Sequence, residues 1–235
     1  MASPSSSRKS VSGSESGSTG RQSTGETIPD ALSVEEHGRQ WNAYREGKYL
    51  LPNDGDEQDR LDMQHNMWRL RLGGRLYLAP VGHPSQVLDI GTGTGIWALQ
   101  FAAEHPTSNV IGTDISMIQP RHNLPPNCLF IREDSEEEWI FDIKFDFIHW
   151  RLMVSCFHDH KEMLQKVYDN LVPGGWAEFQ EWSCEFLGAD GRAEENLQAS
   201  VLGRFIETLI AGGAATGRDF RAPRKYKRWM TELGF

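Results

Sequence analysis

From about residue 85 onward, short apolar runs alternate with stretches whose apolar residues recur every three or four positions. Gln86–Ile90 reads as a buried strand, and residues 110–113, 128–131, 145–149 and 176–182 read as four more. Between them, Ile96, Leu99 and Ala103 define a helix face that stops near His105-Pro106. Met163, Leu164, Val167, Tyr168 and Leu171 define another, which Pro173-Gly174-Gly175 is expected to end. This alternation predicts an α/β fold, a mostly parallel sheet with helices on both faces and right-handed crossovers. Leu197, Val201, Leu202, Phe205, Ile206, Leu209 and Ile210 form an apolar stripe on a further helix over about 194–211, and core packing is expected for it. Upstream, Pro52-Asn53-Asp54-Gly55 reads as a turn, and Asp54 or Asp56 as the cap of a helix over roughly 57–72. Leu61, His65, Trp68 and Leu72 share a stripe of that helix, with His65 expected in a core or interface.

The ends of the chain read differently. Ser, Gly and Thr fill 17 of the first 30 positions. A segment so poor in apolar side chains cannot offset its chain entropy by burial, so residues 1–30 are expected to be a disordered tail. Residues 31–80 are expected to form a helical lid segment, and 81–235 the main domain. A net charge of -9 argues against general nucleic-acid binding. Six Lys or Arg between Arg218 and Arg228 form a local basic patch, read as a solvated helix face. Cys128, Cys156 and Cys184 are too widely spaced for a disulfide framework or a zinc motif, and no metal-ligand cluster is visible. With no apolar run long enough to span a bilayer and no secretory signal, an intracellular protein of cytoplasm or nucleus is expected, with no membrane partner.

The candidate chemistry lies in Val87-Leu-Asp-Ile-Gly-Thr-Gly-Thr-Gly-Ile-Trp97. A strand runs into three alternate glycines, Gly91, Gly93 and Gly95, and a helix starts at once. Glycine permits the sharp turn and a close ligand approach, and the exposed N–H groups of a helix start favour a polar ligand. Dinucleotide sites usually space their glycines G-x-G-x-x-G, whereas here Ile96 stands at the third-glycine position. Asp89, two residues before the first glycine, would repel a pyrophosphate and suits an ammonium or sulfonium, such as the methionine part of S-adenosylmethionine. Asp114 ends the next strand, 19 residues after Gly95, where an acid can accept ribose hydroxyls. Asp134-Ser135 follow the third strand, where an adenine amino group could be held, although five acids between Glu133 and Glu138 also suit a plain solvated loop.

Asp89 to Gly95 resembles motif I of class I methyltransferases, and Leu171-Val-Pro-Gly-Gly-Trp-Ala-Glu-Phe-Gln-Glu181 resembles the segment leading into their fifth strand. More narrowly, the chain resembles the fungal LaeA-like methyltransferases, relatives of a regulator of secondary metabolism. Tyr49-Leu-Leu-Pro-Asn-Asp54, Glu57, Arg60-Leu-Asp62, His65, Gly73 to Pro80, Phe145-Asp-Phe-Ile-His149 and Arg151 carry that likeness. The resemblance implies a Rossmann-like class I methyltransferase fold with S-adenosylmethionine as cofactor. It implies Asp89, Gly91, Thr92, Gly93 and Gly95 around the methionine part, Asp114 and Ile115 at the ribose, and Asp134 and Ser135 near the adenine. His149 would lie beside the donor, and Tyr44 and Tyr49 would close a lid. The family's sheet ends in an antiparallel hairpin, whereas Leu233-Gly234-Phe235 resembles the helix end before the sixth strand. The last two strands are therefore expected to be missing, leaving an exposed fifth-strand edge that a protein partner could cover. His149, His158 and His160 are candidate bases, Trp150 is a core residue or faces a cation, and the methyl acceptor, small molecule or protein, is unknown. A donor-binding module without turnover is the alternative, and a nucleotide-binding oxidoreductase is disfavoured by Asp89 and the glycine spacing.

Overall fold

The structure is a computed structural model and describes residues 33–45, 47–185 and 199–235. The expected tail at 1–30 and Leu197 lie outside the described residues. The first element among the described residues is an antiparallel hairpin, β1 (Ser33–Glu36) with β2 (Arg39–Asn42), joined by His37 and Gly38 at φ 53° and 73°. Two consecutive left-handed residues make the tight turn that matches strand twist, so within the expected lid segment Ser33–Asn42 form a hairpin ahead of the helix.

Helix α1 (Gly55–Arg71) follows. Asp54 is its N-cap: the carboxylate accepts from the Glu57 N–H at 3.1 Å and takes both Nε and Nη2 of Arg39, at 2.6 and 2.8 Å. The cap therefore also fastens the hairpin to the helix, and the arginine holds the Asp54 carboxyl well below its usual range.

The sheet contains β3 (Gln86–Ile90), β4 (Asn109–Asp114), β5 (Cys128–Arg132), β6 (Phe145–Arg151) and β7 (Leu171–Gln180) in the order β5-β4-β3-β6-β7. All four pairings are parallel, as the strand–helix alternation predicts. Val87 and Phe147 face α2 (Ile96–Glu104) and pack with Trp97, Ala98 and Phe101. Leu88, Ile90, Ile148 and Trp150 face the other way, toward Met163, Leu164 and Val167 of α3 (His160–Asn170) and Tyr226 of α5 (Pro223–Leu233). The central strands are thus apolar on both faces, the mark of a doubly covered parallel sheet.

Two expectations are corrected. Pro173-Gly174-Gly175 does not separate α3 from the last strand: α3 stops at Asn170, and β7 starts at Leu171 with a register irregularity opposite Phe145–Phe147. A bulge absorbs the Pro-Gly-Gly kink inside the strand. The stripe on the helix after residue 200, α4 (Val201–Ala215), does not enter the core. Val201, Leu202, Phe205 and Leu209 are 75%, 50%, 56% and 44% exposed, and only Gly203 and Gly213 of this helix are buried. The Phe220 ring lies against Gly213, where a Cβ would come within 2.8 Å of it. Periodicity identifies an apolar face; it does not supply the surface that covers it.

The basic patch is not simply solvated. Arg218 is buried and donates to the Lys48 carbonyl at 3.0 Å, while Arg221, Arg224 and Lys225 pair with Glu207, Glu185 and Asp219. The outer edge of β7 has no strand partner among the described residues. Among those residues no helix is long and apolar enough to cross a membrane.

The exposed α4 face gives a stability test. Phe205→Ser should change unfolding free energy by about 0.5 kcal/mol or less, as exposed sites do. Phe147→Ala, from a fully buried ring between α2 and the sheet, should cost about 3–5 kcal/mol in the same urea titration.

Candidate functional site

β3 ends in a loop whose three glycines, Gly91, Gly93 and Gly95, all have positive φ, at 63°, 59° and 82°. L side chains rarely adopt this conformation, so alternate glycines are what the chain path requires. Gly95 is the N-cap of α2 and offers no side-chain cap. The loop is stitched to β4 instead: Thr92 N–H donates to the Thr113 carbonyl and Gly93 N–H to Asp114 Oδ2, both at 2.9 Å.

Asp89 is buried beneath this loop. Its Oδ2 accepts from Thr92 Oγ1 and its Oδ1 from His149 Nδ1, each at 2.7 Å. The His149 ring stacks on Trp97 with centroids 3.9 Å apart and planes at 4°, and Trp97 Nε1 donates to the Leu76 carbonyl at 3.0 Å. Each Asp89 oxygen thus already holds an internal partner, which departs from the simple expectation of a carboxylate free for a cationic ligand. Its negative charge still lines the cavity.

Asp114, at the end of β4, accepts from Gly93 N–H through Oδ2 and from Ser116 N–H through Oδ1, the latter at 2.8 Å. Burial pushes its carboxyl up to about 6, against the lowering effect of these N–H groups, and Asp89 adds a smaller upward push. Asp134 follows β5 and is ion-paired to Lys48 at 2.5 Å; Lys48 also reaches Glu136 at 3.1 Å. A lysine from the segment before α1 therefore closes onto the loop after β5.

These groups surround a cavity of about 280 Å³ at the carboxyl ends of β3, β4 and β6. Of the expected residues, Asp89, Gly91, Thr92, Gly93, Asp114, Ile115, Asp134, Ser135, His149 and Tyr49 line it. Gly95 does not: its Cα faces Phe130, and its role is the helix start. Tyr44 does not either; its ring lies under Arg132, 5.6 Å from the guanidinium carbon. Of the three candidate bases only His149 lines the cavity. His158 is exposed and bonded to Glu136 at 2.9 Å. His160 is buried against Tyr226 Oη at 2.7 Å, and burial pulls its imidazole down to about 4. Trp150 is a core ring stacked on Phe179.

Sequence reasoning assigned no role to Lys48, Arg151 or Glu181, and placed His65 in a core or interface without a partner. Lys48 makes the ion pairs just described, and Arg151 lines the cavity beside Met153. His65 is fully buried and bridges Arg151 to Gln100. Glu181 accepts from the Met153 and Val154 N–H groups at 2.9 and 3.2 Å, and burial pushes its carboxyl up to about 8. The helix stripe foretold the burial of His65, but no local signal marks the partners of these four, because each acts through a group distant in sequence.

A parallel sheet with a glycine loop after one strand and an acid ending the next defines an α/β domain shaped for a nucleoside-bearing ligand. Residues 63–235 match the methyltransferase domain family, and the chain belongs to that family. It is 38% identical over 202 residues to the methyltransferase pytC of Aspergillus terreus, covering 85% of this chain and 61% of that protein. It is 34% identical to the probable methyltransferase tdiE of Emericella nidulans, covering 87% and 64%, and 36% identical to the secondary metabolism regulator laeA of Aspergillus fumigatus, covering 77% and 49%. The chain thus spans under two thirds of the length of these relatives. Human N-acetylserotonin methyltransferase, solved in complex with S-adenosylmethionine, shares the fold at a TM-score of 0.54 and 17% identity, covering 77% of this chain and 50% of that one. The Rossmann-like class I methyltransferase fold is the one observed.

The loop geometry separates two glycines by cost. Gly95→Ala places a Cβ 2.5 Å from Phe130 Cζ at a φ of 82°, and should destabilise by about 2–4 kcal/mol. Gly74→Ala, at a φ of 85° in open space, should cost about 1–2 kcal/mol in the same denaturation series.

Proposed function

We propose that this chain binds S-adenosylmethionine in the cavity and transfers its methyl group to an acceptor. The observation that carries this reading is Asp114, bound to Gly93 N–H at 2.9 Å and to Ser116 N–H, so that one carboxylate is held beside the glycine loop. Each oxygen retains a lone pair for a ribose hydroxyl. Asp134 and Ser135 would lie at the adenine, and Asp89, Gly91, Thr92 and Gly93 at the methionine part. Ile115 would flank the ribose. Tyr49 lines the cavity from the segment before α1, and Tyr44 stands further out on the same segment, which suits a lid.

The donor supplies a methyl carbon already activated by its sulfonium. The protein's contribution is then to hold the acceptor in line, which by itself lowers a barrier substantially. Proton removal matters only if the attacking atom carries a proton. His149 is the candidate for it: its Nδ1 faces Asp89, and its Nε2 has no hydrogen-bond partner among the described residues. The acceptor is a small molecule or a protein, and the relatives named for secondary metabolism favour that setting. Three free thiols suit a reducing intracellular compartment, cytoplasm or nucleus.

The alternative reading is a donor-binding module acting through a protein partner without turnover. Release of S-adenosylhomocysteine with added acceptor pools separates the two readings.

Calorimetric titration of the folded, monodisperse chain with S-adenosylmethionine should show micromolar binding, and a folded chain that does not bind overturns the proposal. Asp114→Ala should weaken binding by about 1–3 kcal/mol through lost hydrogen bonds to a charged group. Gly93→Val should abolish it. Ribose hydroxyls favour ionised Asp114, whose free-state pKa is about 6, so affinity should be full above neutrality and fall as pH drops through 6. A pH-independent affinity in the wild type, or an Asp114→Asn variant that keeps the acid-side fall, would remove the ribose assignment.

A further inference from the structure

Among the described residues, three cationic side chains other than histidine line the cavity: Lys48, Arg60 and Arg151. Lys48 is neutralised by Asp134 and Glu136. Arg60 is held by Glu57 through Nε and Nη2, at 2.7 and 2.6 Å. Arg151 has no carboxylate ion-paired to it among the described residues. Its hydrogen bond runs from Nη2 to His65 Nδ1 at 3.0 Å.

The donor–acceptor sense of that contact is fixed by chemistry. An arginine can only donate, so His65 Nδ1 accepts and its Nε2 carries the proton. That proton is given to Gln100 Oε1 at 3.0 Å, which also accepts from Arg69 Nη1 at 2.9 Å. Burial, and then the Arg151 charge, hold the imidazole down at about 4, so it stays neutral and keeps this tautomer at physiological pH. His65 is therefore a positioning residue. It orients the guanidinium without neutralising it.

Sheet register sets where the charge stands. Asp89 pairs with His149 and Ile90 with Trp150 across β3 and β6, so the next step places Arg151 beside Gly91. Strand alternation puts Arg151 on the same face as His149, the face on which His149 meets Asp89. One wall of the cavity thus carries an anion, Asp89, and one step further along the strands an unneutralised cation, Arg151. A carboxylate and an ammonium on one carbon, the two ends of an α-amino acid zwitterion, match such a wall.

We propose that Arg151 receives the α-carboxylate of the bound methyl donor; this rests on the donor reading given above. A planar guanidinium can take both carboxylate oxygens, and the ligand would supply the direct ion pair that Asp89, which acts on Arg151 only through space, does not make.

The test is calorimetry with two ligands that differ only at this group: S-adenosylhomocysteine and its decarboxylated amine analogue. The wild-type protein should prefer the carboxylate-bearing ligand by tenfold or more. Arg151→Gln should lose at least tenfold toward S-adenosylhomocysteine and keep its affinity for the amine, closing the gap. Equal loss on both ligands, or a gap that survives the substitution, overturns the proposal while leaving donor binding intact. A wild-type protein that binds neither ligand overturns the donor reading and this proposal with it. Should Arg151→Gln not fold, Arg151→Lys decides: it keeps the charge but lacks the planar fork, so a narrowed gap supports the proposal and an unchanged gap refutes it.

Discussion

The carboxylate of Asp89 is the point from which the site is built. Buried without partners it would be prohibitively costly, and the chain meets that constraint with two short hydrogen bonds, to Thr92 and to His149. One bond fixes the glycine loop and the other fixes the end of β6. His149, so held, lies flat on Trp97, and Trp97 anchors the first turn of α2 to the main chain at Leu76. Loop, neighbouring strand and following helix are therefore set relative to one another by a single side chain.

Strand order explains why the cavity opens where it does. From β3 the chain moves outward through β4 to β5, then returns to the other side of β3 for β6 and β7. The crossovers leave β3 and β6 on opposite faces, and the carboxyl ends of these two strands border a crevice at the switch. Asp114 and Asp134 close one side of that crevice, His149 and Arg151 the other, and α1 lies across it with Asp62 bonded to Thr94 of the loop at 2.6 Å.

Much of this was legible in the sequence, because it is local. The strands of the sheet, the helices between them, the alternate glycines and the acid after β4 all follow from spacing and residue type within a few positions. The His37-Gly38 turn carried a signal too, a glycine at the second turn position, but one weaker than Asn-Gly. What spacing could not convey depends on pairing across long separations. His65 and Arg151 are 86 residues apart in the chain, and Lys48 and Asp134 equally so. The residues of α4 show an apolar period that is real, yet nothing in a period states whether a surface exists to meet it. Gly93 and Gly95 look alike in the motif, and only the sheet reveals that one faces the cavity and the other faces Phe130.

Met153 lies over Gly91 so closely that a Cβ on that glycine would collide with its thioether. Its main chain is tethered, since Glu181 accepts its N–H, but its unbranched side chain is one of the most adaptable in proteins. The part of the wall above the first glycine is thus closed by torsions and not by backbone. At this point the cavity can change shape through side-chain torsions alone, whereas at the opposite end it is bridged by the Lys48 ion pairs.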